Sequence, residues 1–436
     1  MYKSGTPIGF WSAVLLGVGA MVGAGIFALL GQAGAMVGSA VWISFVYGGV
    51  IAALSAYSLG RLGARYPSAG GLVEYLVQAY GGGVVSGTGA TLLYLAGLLA
   101  LTLIAKAFGS YGCELMIGST EAWLVNLLAI AVVAAFTAVN LRGAGDVAKV
   151  ENVVVVSKVS VLVAFIVIGA FYIVPSRLDF ADYPREGAVL ASVGITFFAY
   201  EGFRVITNTA EDMADPARQL PRAIMVAIAI VGALYIALSL VVFGNLDVGE
   251  AVAAKDYALA RAAAPVFGMG GFTIVVAAAL VSTASAINAN LYAITNVSYQ
   301  MAKDGELPAA FGAPIAHSRE GLLISAAIVA ILVLALDLTS LAVIGSLTIL
   351  LVHITVHIGH LRIAKETGAS KGMVALAIAA NLAVVAAVVD YEIAGSPATI
   401  VYLVGFVVTA LLLEVLVRTW LEREIAARSD GSESTD

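Results

Sequence analysis

The chemistry in this sequence sits in charged and polar residues placed inside apolar stretches. From Val153 to Val174 the chain is apolar apart from one charge, Lys158. An ammonium in hydrocarbon is costly, so it either serves a function or escapes to water. Lys158 lies six residues beyond Asn152, at the expected end of its helix. That is about 9 Å of helical rise. A lysine stem covers roughly two-thirds of it, so snorkelling alone leaves the ammonium short of bulk water. A second stretch, "GITFFAYEGFRVITN", carries Glu201, Gly202 and Arg204. The two charges stand at i,i+3, the spacing of an intrahelical ion pair. Glu201 could equally meet a basic substrate group or carry a proton. A third, "HITVHIGHLR", sets His353, His357 and His360 along one helix side. Such histidines could share a metal ion or mark a wet helix end. "GVGAMVGAGIF" places glycines at 17, 19, 23 and 25. They would permit either close helix packing or a break in the helix.

Composition supplies the elements that must hold these residues. The 436 residues are 61% hydrophobic and only 11% charged, with a mean hydropathy of +1.00. Soluble domains carry about 25% charged residues, so the chain reads as an all-α polytopic membrane protein. A span needs roughly 20 apolar residues. Twelve stretches qualify, near 9–30, 39–60, 84–112, 121–141, 152–174, 188–210, 223–244, 271–300, 321–336, 338–361, 373–390 and 398–420. No cleavable signal peptide is evident. The single cysteine, Cys113, excludes an intrachain disulfide and a cysteine metal cluster. The net charge of −6 is dispersed and points to no nucleic-acid partner. No nucleotide-binding loop, zinc spacing or nucleophile triad is present. An enzyme and an ATP-driven pump are therefore not expected, nor is a cofactor.

Lysine and arginine set orientation. With a cytoplasmic N-terminus, fifteen fall on the inner side, four on the outer side and three (Lys106, Lys158 and Arg204) within spans. Both termini are then expected in the cytoplasm, and the cell membrane is the expected location. Lys106 should snorkel to the outer surface.

Spans one and six both contain mid-depth disruptions and lie five apart. Five-helix units of opposite direction make an inverted repeat, and paired interrupted helices point to a transporter's substrate site. A half-helix starting near Gly23 would offer the N–H groups of Gly23, Ala24 and Gly25 to a carboxylate. Carbonyls near Phe198 to Tyr200 could accept from an ammonium. One anion site beside one cation site describes an α-amino acid. On span eight, Ser282, Ser285, Ala289, Tyr292 and Asn296 share one face, which should meet protein or water.

The loops carry a resemblance. "RLGARYPSAGGLVEYLVQAYGG", "TAEDMADPARQLPRAI", "SAINANLYAITNVSYQMAKDGELP" and "GAMVGAGIF" resemble, in order and spacing, signatures of the amino acid–polyamine–organocation (APC) transporters. The chain looks most like proton-coupled amino-acid permeases of archaea and bacteria. The resemblance implies 12 transmembrane helices in a LeuT-type 5+5 inverted repeat, with helices 1 and 6 interrupted and two C-terminal helices added. The units would be 1–174 and 188–362, with accessory helices in 372–420 and a disordered cytoplasmic tail at 421–436.

The resemblance further implies amino-acid import with protons by alternating access; exchange of amino acids or polyamines, sodium symport, and a non-transporting sensor are the alternatives. Carried over by position, substrate contacts are Ala20, Val22, Gly23, Ala24, Gly25, Phe198, Tyr200, Glu201 and Gly202. An aromatic residue of span six closes over substrate, with Phe197, Phe198 and Tyr200 as candidates. At the position that holds sodium in related folds, spans one, five and eight would meet at Gly17, Lys158, Ser282 and Ser285. An ammonium there would replace the ion. The loops with Pro67 and Pro216 would shape the inner gate. The partners expected are an amino acid, protons and the lipid bilayer. Oligomeric state is not readable.

Overall fold

In the computed structural model, residues 7–68, 70–142, 147–304, 307–316 and 318–421 are described. The tail beyond Leu421 lies outside them. The helices are α1 (Phe10–Val37), α2 (Val41–Arg65), α3 (Leu72–Tyr80), α4 (Val84–Ile117), α5 (Ala122–Arg142), α6 (Val147–Gly169), α7 (Glu186–Tyr200), α8 (Pro216–Asn245), α9 (Val248–Ala253), α10 (Ala258–Asp304), α11 (Glu320–Ala335), α12 (Leu338–Thr367), α13 (Lys371–Gly395) and α14 (Pro397–Leu421). Strand structure is confined, among the described residues, to the antiparallel pair β1 (Pro314–Ile315) and β2 (Ser318–Arg319) and one isolated bridge.

Among the described residues ten helical stretches are long and apolar enough to cross a membrane, and two shorter apolar stretches, Phe10–Gly23 and Glu320–Ala335, accompany them. The protein is therefore a multi-pass helical membrane protein. In the most apolar windows of α4 and α12, 83% of residues are buried inside the protein, against 28% for α13 and 22% for α14. α4 and α12 are thus interior helices, whereas α13 and α14 turn most of their surface outward.

Local chemistry ends the helices where the apolar runs end. Asp337 caps α12 by accepting from Ser340 N at 2.6 Å, which fits the tight link after α11. Asp215 caps α8 ahead of Pro216. Gly118 and Gly368 take the left-handed conformation that closes α4 and α12. α10 is longer than the expected 271–300 because two helices join at Gly268, with φ 67° and ψ −166°.

The "YPSAGG" loop leads into α3, a short helix with Tyr75 and Leu76 buried. A Cβ on Gly71 would strike the Asn208 and Thr207 side chains, so this loop seats directly on the segment that follows α7.

Candidate functional site

α7 ends at Tyr200 and the chain continues as a 3₁₀ helix from Glu201 to Asp212. Runs of this helix beyond three or four residues are uncommon and mark strain or a hinge. The disruption expected in span six is present at the expected residues. The one expected in span one is not: α1 is continuous from Phe10 to Val37. The free N–H groups expected at Gly23, Ala24 and Gly25 are therefore taken up in the helix, and Val22 is fully buried.

Packing explains the glycines. A Cβ at Gly17 would hit Ile206 and Ala227, at Gly19 Val155, at Gly23 Ala286, and at Gly25 the Tyr235 hydroxyl and Ala199 carbonyl. Neighbouring helices fill each vacated side-chain position. The closest backbone approach in the region is at Gly202, where a Cβ would lie 2.5 Å from Met21 N and 2.7 Å from Ala20 C. Tyr235 Oη also donates to Met21 O at 2.7 Å.

Lys158 is buried, and its Nζ donates to Gly19 O at 2.8 Å. A Cβ at Gly23 would be 3.3 Å from that nitrogen and 3.8 Å from Ser282 O. The ammonium thus lies between α1, α6 and α10, and does not reach outward along its own helix. Ser282 Oγ is buried without a hydrogen-bond partner, and Ser285 is half-buried one turn on. Gly17 faces Ile206 and Ala227 instead of Lys158. The expected polar face of α10 is only partly enclosed: Ala289, Tyr292 and Asn296 are exposed. Asn288 is enclosed instead and accepts from Asn140 Nδ2 at 2.8 Å.

The three aromatic candidates separate by environment. Phe197 meets His353 edge-on at 5.5 Å. Tyr200 is buried and donates to Phe45 O at 3.0 Å, away toward α2. Phe198 packs at the junction of α4 and α12, because a Cβ on Gly345 would touch its ring at 2.8 Å and Leu99 at 3.6 Å. It is the candidate best placed to cover a ligand beside α7.

Glu201 and Arg204 form an ion pair, Oε1 to Nε 2.8 Å, not aligned as a hydrogen bond. Side chains three apart eclipse on a 3₁₀ helix, so the local winding itself brings them together. The sequence missed the third member, His353, whose Nε2 lies 3.1 Å from Glu201 Oε2. Nor are His353, His357 and His360 a wet helix end; all three are fully buried. His357 Nδ1 and His360 Nδ1 share the Ser58 hydroxyl at 2.9 and 2.7 Å. Among the described residues no cluster of three or more histidine, cysteine or acidic groups could hold a metal.

The end of the bundle around the α11–α12 link is also structured. Lys106 does not simply snorkel: its Nζ donates to Val333 O and Leu336 O, at 3.1 and 2.6 Å, and so caps α11. Gln32 bridges Asp256 at 2.6 Å and Thr339 at 2.7 Å. Burial raises the Asp256 carboxyl above the usual range, opposed first by Lys255.

Helices of this length around buried charges define a polytopic membrane protein, and comparison with known proteins assigns its family. The amino acid permease family model matches residues 8–421; the chain belongs to that family of APC transporters and is not an enzyme. It is 34% identical over 415 residues to the inner membrane transport protein YbaT of Escherichia coli, covering 94% of this chain and 96% of that one. An uncharacterized protein of Methanocaldococcus jannaschii is 32% identical over 419 residues, covering 95% and 96%. The methylthioribose transporter of Bacillus subtilis is 29% identical over 319 residues, covering 68% and 67%.

Proposed function

We propose that this protein imports an amino acid together with protons, by alternating access, through a LeuT-type pair of inverted five-helix units (1–174 and 188–362) within a twelve-helix cell-membrane protein with cytoplasmic termini. Helices α13 and α14 are accessory to that pair. The observation that carries the proton reading is the buried Lys158 ammonium on Gly19 O. A tethered cation between α1, α6 and α10 leaves little room or charge balance for free sodium. Protonated, Lys158 ties α1 to its neighbours. Neutral, it lets them part.

The substrate seat is the junction of α7 with the 3₁₀ helix. Where one hydrogen-bond pattern changes into the other, Phe198 O accepts from Glu201 N and Ala199 O from Tyr235 Oη, and the second lone pairs of these carbonyls would accept from an ammonium. Gly202 keeps α1 close, and Phe198 covers the site. The Gln32–Asp256–Thr339 cluster serves as the outer clasp. The Gly71 loop, seated on Thr207 and Asn208, serves as the inner one. The amino-acid reading rests on the family. The methylthioribose transporter among its relatives keeps other small solutes on the panel to be tested.

The experiment is uptake of labelled amino acids into proteoliposomes holding only this protein, with and without a pH gradient and sodium. Accumulation that follows the pH gradient and ignores sodium is expected. Accumulation that follows sodium instead would overturn the proton reading, and no uptake across the panel would overturn import.

A further inference from the structure

The histidines of α12 belong to a continuous hydrogen-bonded row, and its direction can be worked out. Asn381 Nδ2 donates to Ala377 O at 2.8 Å, which fixes the amide, and also to Ser55 Oγ at 3.1 Å. Thr367 donates to Ala364 O, and the row read back from it through His360 and Ser58 has Ser55 donate to His357 Nε2, 3.2 Å away. A neutral His357 therefore carries its proton on Nδ1 and donates it to Ser58 Oγ at 2.9 Å. Ser58 has one proton and gives it to His360 Nδ1 at 2.7 Å. His360 then donates from Nε2 to Thr367 Oγ1 at 2.8 Å, and Thr367 donates to Ala364 O at 3.2 Å. Every donor points toward the end of α12, where Lys365, Glu366 and Gly368 are exposed.

At the deep end stands His353. Its Nε2 faces Glu201, and its ring lies 5.6 Å from that of His357. Its Nδ1 is buried without a hydrogen-bond partner. Such an atom is costly to bury unless it has a task. The charged groups facing this row are Glu201 and Arg204. Tyr80 of α3 donates to Thr355 O, under Arg362, and Glu366 meets Tyr66 at the mouth. α2 presents serines, α7 presents Phe197 and α13 presents Asn381. Lys106 of α4 is held on α11, and Glu414 of α14 lies against Gly87.

We infer that the Glu201–His353 pair binds a second transported proton, apart from Lys158, and releases it to the cytoplasm along His357, Ser58, His360 and Thr367. This rests on the proton-import reading and its topology. The proton on His353 Nδ1 passes to His357 Nε2, through a ring turn or one bridging water, as Ser55 turns aside. The Nδ1 proton of His357 passes to Ser58, the Ser58 proton to His360 Nδ1, and the Nε2 proton of His360 leaves past Thr367. One proton enters and one leaves. The row ends reversed in polarity and resets as its hydroxyls and rings rotate. Its starting polarity favours exit, which is the direction import requires.

The test uses proteoliposomes loaded with a pH-reporting dye and given a mixture of the common amino acids. Ser58→Ala interrupts the row while leaving both imidazoles, and His357→Gln interrupts it by removing one. Each should slow lumenal acidification at least about tenfold while leaving counterflow at symmetric pH unchanged, since exchange turns over with protons bound. Glu201→Gln should lower the number of protons moved per substrate by one. Wild-type acidification rates in both row variants would overturn the inference and leave the import reading standing. Acidification and counterflow falling together in both would show a structural role and overturn it too. No acidification by the unmodified protein would sink proton import itself, and this route with it.

Discussion

Two buried charges in this protein are held in opposite ways. Lys158 rests on the carbonyl of Gly19, a backbone group of an unbroken helix. Glu201 sits between two cationic or proton-bearing partners, Arg204 and His353. Remove the lysine, and Gly19 O keeps its place in the helical ladder. Remove the glutamate, and an arginine and a histidine are left facing each other. At the first site the charge is met by a backbone carbonyl that has its own place in a helix. The second is a network whose members depend on one another.

The variants that probe this contrast differ in size of effect. Lys158→Ala should affect transport most. Each coupled proton supports about tenfold accumulation per pH unit, since 1.4 kcal/mol is a factor of about ten. Its loss should lower the steady-state ratio about tenfold, with substrate binding and melting temperature little changed. A large drop in thermal stability would make Lys158 a structural post and collapse the contrast. Glu201→Ala should do the reverse and destabilise. Breaking a buried pair costs about 3 kcal/mol, and the Arg204 side chain, 22% exposed, relieves part of that. Thermal unfolding in detergent reads it. An unchanged melt would mean the pair is dispensable to the fold.

Gly202→Ala should cost about 1–3 kcal/mol through overpacking, because the added carbon meets the α1 backbone. It should slow transport without altering the proton ratio, measured by uptake and dye response together. The smallest effect belongs to Asp256→Asn. The Asp256 carboxyl is raised by burial, so the protonated form favours its cluster with Gln32 and Thr339. That contribution is complete below the ordinary carboxylate pKa and is lost as pH rises through the raised value. Asparagine should flatten the acid side of the pH profile for opening at this cluster, read with a fluorophore on the α11–α12 link. A profile identical to the unmodified protein would exclude Asp256 as its source.

Much of the architecture was legible because hydrocarbon selects for it. Apolar runs located most of the long helices, though α1 runs seven residues past its expected end and α8 starts seven before its expected start; the first part of α10 was hidden by a glycine kink at Gly268. Lys158 was legible because a lone charge has few places to go. The glycines of α1 were not, since GxxxG-like spacing serves close packing and helix breaking alike. Only the neighbours decide, here Ile206, Val155, Ala286 and Tyr235. The histidine row was misread for a related reason. Its partners lie far off in the chain, with Glu201 152 residues from His353 and Ser58 299 from His357. Spacing within one helix carries no trace of them.

The 3₁₀ helix of residues 201–212 has a consequence for reach. Twelve residues so wound span about 24 Å, while the same residues in α-helix would span about 18 Å. Rewinding would draw the far end in by about 6 Å and turn it through a large part of a circle. Ile8, whose amide bonds to Asp212 O at 2.8 Å, is tied to that end. A change of pitch in one short segment would therefore pull on the start of the chain, acting as a screw thread between the end of α7 and the segment before α1.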